Sequence, residues 1–118
     1  MRSTLAALGA ALLLPLGLAA PAQAQAPQNY RVEVVNFSGE TFDEIVVAVS
    51  RHSNPASQLL HSPPLPPGNA AQFDLGTCAD VAQFAVAGVK GGVSLFNTGN
   101  IQGDPVGCDD QIVIRNTN

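Results

Sequence analysis

The residues of this chain that can do chemistry are few, and their spacing decides what each can do. Cys78 and Cys108 are its two cysteines. They lack the C-x-x-C spacing of a redox or metal pair, and in an oxidising compartment an isolated pair reads as one disulfide. Closing a loop of about 31 residues stabilises a fold by up to about 3.7 kcal/mol on the chain-entropy model, a large share of what a small domain has. His52 and His61 are the two histidines and invite a zinc or copper reading. If residues 51–56 close a hairpin, however, His61 falls opposite Val46, and the two rings lie of the order of 15–20 Å apart at ~3.3 Å per residue. Asn100, Asp104, Asp109 and Asp110 are hard oxygen donors of the kind calcium takes, spread through residues 98–110. Their spacing does not match an EF-hand, and a solvated acidic segment of Asx turns is the plainer expectation.

Other constellations carry less. Ser50-Arg51-His52 has the residue types of a hydrolase, but no G-x-S-x-G elbow, H-E-x-x-H or thiol nucleophile accompanies it. Asp43-Glu44 and Asp109-Asp110 are adjacent in sequence. On a strand, neighbouring side chains point to opposite faces, so neither pair makes an acid/base couple. The glycine-rich residues 88–92 lack the Lys-Ser/Thr of a phosphate loop. Pro63-Pro64-Leu65-Pro66 has the P-x-x-P form of an SH3-type ligand but reads as a rigid inter-strand connection. Asn36-Phe37-Ser38 matches an N-glycosylation acceptor. Beside a leader of bacterial type, Asn36 reads as a turn former instead.

That leader is residues 1–24, with Arg2 as a positive n-region, an Ala/Leu-rich apolar core over residues 5–18 and Ala22-Gln23-Ala24 as the cleavage site. The apolar run is shorter than the ~20 residues of a bilayer span and contains Pro15 and Gly17, so it reads as a signal peptide and not an anchor. Residues 25–29 then form a mobile leader and residues 30–118 one domain, free in the periplasm or secreted. Without Arg2, four Lys/Arg face nine Asp/Glu. That balance disfavours nucleic acid and anionic membrane, which need clustered cations.

The elements that must position these residues are strands. Tyr30, Val32 and Val34 alternate with Arg31 and Glu33, a half-buried strand. Residues 36–40 supply a turn, and the continuous run Ile45-Val46-Val47-Ala48-Val49 predicts a central strand covered on both faces. Pairing these two as a hairpin sets Val32 opposite Ile45 but also Glu33 beside Glu44, a like-charge conflict that leaves open their placement in facing sheets. Further alternating runs follow at 57–61, 71–75, 81–89, 93–97 and 111–116, with 98–110 as the longest irregular segment. About seven antiparallel strands predict an all-β, two-sheet sandwich of immunoglobulin-like or transthyretin-like shape.

Two turns carry a family likeness. Val34-x-Asn36-x-Ser38-Gly39-x-Thr41, followed by Leu65-Pro66-Pro67-Gly68 and the later cysteine pair, resembles small exported proteobacterial β-domains of unassigned function. The resemblance implies a sandwich fold and export and transfers no site residue. The expectation is a non-catalytic extracytoplasmic binding or protein-interaction domain with a protein or cell-envelope partner. The alternatives are a calcium-stabilised structural or adhesion module using residues 98–110, or a small periplasmic enzyme with an unrecognised site.

Overall fold

The computed structural model describes residues 28–115; the expected signal peptide at 1–24 lies outside the described residues, as do 25–27 and 116–118. In chain order the elements are β1 (Asn29–Asn36), β2 (Glu44–Arg51), β3 (Gln58–His61), β4 (Ala70–Thr77), a 3-10 turn (Cys78–Asp80), β5 (Val81–Lys90), β6 (Val93–Asn97), β7 (Ile101–Gln102) and β8 (Asp109–Ile114). They make a three-stranded sheet in the order β4-β1-β8 and a five-stranded sheet in the order β3-β2-β5-β6, with β7 also on β5. The chain is an all-β, two-sheet sandwich. An eighth strand appears because Ile101 and Gln102, inside the segment expected to be irregular, pair with Phe84 and Gln83. One pairing departs from the antiparallel expectation: β8 runs parallel to β1. Asn29, placed in the leader by sequence, belongs to β1, and the carbonyl of Gln28 before it accepts from the Cys78 amide at 2.8 Å.

Of the two placements left open for the runs in residues 30–50, a direct hairpin and facing sheets, the structure has the second. β1 pairs with β4 and β8, whereas β2 pairs with β3 and β5, so the two runs sit in facing sheets. The charges agree with this placement. Glu33 faces Gln72 and Gln111, and Glu44 faces Val89, so the like-charge pair of a direct hairpin is avoided. β2 is central as expected, with Ile45, Val47 and Val49 fully buried. Its other face is not covered by a third layer; Val46 and Ala48 are half-buried between their neighbours on β3 and β5. The hairpin through residues 51–56 forms as predicted, with His61 opposite Val46.

Inward positions of both sheets close on one core. Tyr30, Val32 and Val34 meet Ile45, Val47, Val49, Phe73, Leu75, Phe84, Val86 and Ile114 in it. Tyr30 and Phe84 pack edge to face with centroids 5.8 Å apart. Phe42 reaches the core from a single bridge to Leu65 and lies so close to Gly88 that a Cβ there would sit 2.8 Å from its ring. That close approach explains a glycine inside β5.

The crossing from one sheet to the other depends on Asn36, whose side chain is buried. Its Nδ2 donates to the carbonyls of Glu40 (2.7 Å) and Leu65 (3.0 Å), and its Oδ1 accepts from the Ser38 amide (2.9 Å) and hydroxyl (2.6 Å). All four hydrogen-bonding positions of the amide are thus used inside the fold. Asn36→Ala should lower stability by about 2–4 kcal/mol, because it leaves those partners buried without a replacement. Urea denaturation measures it, and a loss below about 1 kcal/mol would contradict the role given to Asn36.

Candidate functional site

The far end of the chain is organised by a buried phenol. Tyr30 faces inward from β1, and its hydroxyl accepts from the Asp104 amide at 3.1 Å while donating to Asp110 Oδ2 at 2.5 Å. Its pKa is pushed up from 10.0 to about 12, first by burial and next by the hydrogen bond to Asp110. Asp104 in turn builds the loop before β8. Its Oδ1 accepts from the Val106 amide at 3.0 Å and its carbonyl from the Cys108 amide at 3.1 Å. The amides of Gly107 and Val106 hold its carboxyl below the usual carboxylate range. The expected disulfide is present, joining Cys78 to Cys108 with 5.4 Å between Cα atoms. Cys78 follows β4 and Cys108 precedes β8, so the bond ties together the two strands that flank β1. Gly103 completes the clamp: a Cβ there would lie 2.2 Å from the Val81 carbonyl oxygen.

Pinning β8 in this register builds a surface on the other side of the sheet. Arg31 lies beside Asp109 and Glu33 beside Gln111 on β8, while Arg31 faces Asp74 and Glu33 faces Gln72 on β4. Gln72 Nε2 donates to Glu33 Oε2 at 2.7 Å, and Gln111 Nε2 donates to Glu33 Oε1 at 2.8 Å. One carboxylate on the middle strand is therefore clamped by an amide from each neighbour. Arg31 approaches Asp74 to 3.9 Å with its side chain 66% exposed, a contact that contributes little stability in water. Asp74 is held low by the Gly76 amide first and by Asn29 next. Arg31, Glu33, Gln72, Asp109, Asp110 and Gln111, with Gln28 and Cys108, line an open hollow of about 400 Å³.

The structure separates the four residues of the candidate calcium set. Asp104 and Asp110 both meet the Tyr30 hydroxyl, but Asp104 does so through its backbone amide and uses its carboxylate within its own turn. Asp109 is an exposed neighbour of the hollow, on the opposite face of β8 from Asp110 because strand side chains alternate. Asn100 lies before β7, apart from these contacts. Among the described residues no three His, Cys, Asp or Glu side chains gather in a metal-binding group. His61 Nδ1 sits 2.8 Å from Glu44 Oε1, while His52 contributes a backbone amide to the Asp80 carbonyl at 2.8 Å.

The remaining motifs are used locally. Ser50 Oγ donates to the Pro55 carbonyl at 3.2 Å within the turn, and Arg51 Nε donates to the Leu75 carbonyl of β4 at 2.9 Å, so Ser50 secures a turn and Arg51 joins the two sheets. Asp43 Oδ2 accepts from the Gly91 amide at 2.7 Å, whereas Glu44 Oε1 reaches to 2.8 Å from His61 Nδ1. Within Pro63-Pro64-Leu65-Pro66, Leu65 is buried and exchanges backbone hydrogen bonds with Phe42 at 2.9 and 3.0 Å. Arg31, Glu33, Gln72 and Gln111 were not singled out from sequence as a site. Alternation identified the outward faces of their strands, but nothing local signals that β8 docks beside β1.

Tyr30 is the single tyrosine of a chain without tryptophan, so its ionisation is directly visible in the ultraviolet. A pKa raised in the fold means the native state holds the phenolic proton more tightly. Its contribution is complete below pH 10 and is lost as pH rises toward 12. Phenolate absorbance should therefore appear with a midpoint near 12 in the folded protein and near 10 in urea; a midpoint near 10 in both would contradict the buried hydroxyl bridge. Comparison with family models, curated proteins and solved structures finds no match for this chain.

Proposed function

We propose that the chain is a non-catalytic binding domain of an extracytoplasmic compartment and that its recognition surface is the polar hollow on the three-stranded sheet. The observation that carries this reading is the clamped row Gln72-Glu33-Gln111 beside the exposed Arg31. Side chains held in place by one another lose little further freedom when a ligand docks, which is what a binding face requires. The volume of about 400 Å³ is within the range of ligand clefts, roughly 300–1,000 Å³. The disulfide, the leader-like residues 1–24 and the likeness to exported proteobacterial domains support a periplasmic or secreted location. No helix among the described residues is long and apolar enough to cross a membrane.

Site-specific photo-crosslinking in the producing cell tests the surface. A diazirine side chain at Gln72 or Gln111 should form adducts, whereas one at Gln83, on the outer face of the other sheet, should not. Adducts from Gln83 alone, or from none of the three, would count against this assignment.

A further inference from the structure

We infer that the hollow takes a neutral polyhydroxylated ligand, a glycan segment about two sugar residues long, an inference that rests on the binding-domain reading above. The functional groups on the hollow decide the class. A carboxylate can only accept hydrogen bonds, so Gln72 and Gln111 must both present Nε2 to Glu33. Their carbonyl oxygens are thereby turned away from Glu33 and are open to a ligand as acceptors. Asp109 adds a third acceptor group, and Arg31, 66% exposed, supplies a fork of donors.

Charge excludes the simpler ligands. An anion suited to Arg31 would meet Glu33, Asp74 and Asp109 in the same neighbourhood. A metal cation would find no three carboxylates gathered to hold it among the described residues, and an organic cation suited to Glu33, Asp109 and Asp110 would meet Arg31 between them. A hydroxyl both donates and accepts, so a polyol serves the amide oxygens, the carboxylate and the guanidinium together without a net charge to oppose. Spacing sets the length: Gln72 and Gln111 flank β1 on adjacent strands, which places them about 10 Å apart, two strand separations. That is the span of a disaccharide. No aromatic side chain among the described residues lines the hollow, so binding there proceeds through hydrogen bonds, with Kd of the order of 1 mM.

The test is an amide chemical-shift titration of the disulfide-bonded protein with cellotetraose, maltotetraose, mannotetraose and chitotetraose, and separately with triglycine, spermidine and inorganic phosphate. At least one tetrasaccharide should shift the backbone amides of Arg31, Glu33, Gln72, Asp109 and Gln111 and the side-chain amides of both glutamines. Gln72→Ala or Gln111→Ala should weaken that binding about fivefold and Gln83→Ala should leave it unchanged, while the spectra themselves report that each variant is folded. Silence with all four sugars overturns the inference. If triglycine, spermidine or phosphate shifts these resonances while the sugars do not, the glycan is wrong and the binding face stands. If no probe shifts them and cellular adducts form only at Gln83, both fail.

Discussion

A parallel strand pair has no turn to set its register, and β1 and β8 are separated in sequence by the whole of the second sheet. What fixes them is the Tyr30 hydroxyl. It accepts from the Asp104 amide on one side and donates a hydrogen bond to Asp110 on the other, which ties the last strand to β1 in this register. The disulfide, itself buried at the edge of the core, acts on the same junction, joining the end of β4 to the start of β8 across β1. The Arg31 amide then donates to the Cys108 carbonyl at 3.0 Å. Cys108 itself adopts a left-handed backbone, φ 59°, which a residue without a glycine's freedom tolerates only when its surroundings hold it there.

That register is also what makes the outer surface. In a strand, a slip of one residue exchanges faces. With Asp110 committed to Tyr30, Asp109 and Gln111 must point outward, where they meet Arg31 and Glu33. A contact inside the core and a polar row on the surface are thus two faces of one strand placement. The five-stranded sheet contributes the other half of the core and secures its turns through Ser50, Asp43 and Asp80, while Arg51 reaches across to the Leu75 carbonyl of β4; it does not share in the hollow.

Much of the fold was legible from alternation. Tyr30, Val32 and Val34, Ile45, Val47 and Val49, and Phe84 and Val86 each fall in the core as their spacing predicted. The 51–56 turn correctly set His61 opposite Val46 because a short hairpin has a register fixed by its loop. The partnership of β1 with β8 was not legible, since a parallel pairing over so long a separation leaves no local mark. For the same reason the hollow was missed: Gln72, Glu33 and Gln111 are ordinary outward residues until the strand order is known. The acidic segment 98–110 stood out by composition, yet two of its carboxylates serve the loop and the core. The run Ile45-Val46-Val47-Ala48-Val49 suggested two covered faces because Val and Ala also fit a half-buried outer face between close neighbours.

The central claim is that the junction of Tyr30, Asp104, Asp110 and the disulfide holds β8 against β1. Native-state hydrogen exchange before and after reduction of the disulfide tests it most directly. Reduction should release protection at the amides of β8 and residues 104–108 while β2 and β5 keep theirs. Unchanged protection in β8, or loss spread equally over both sheets, would contradict it.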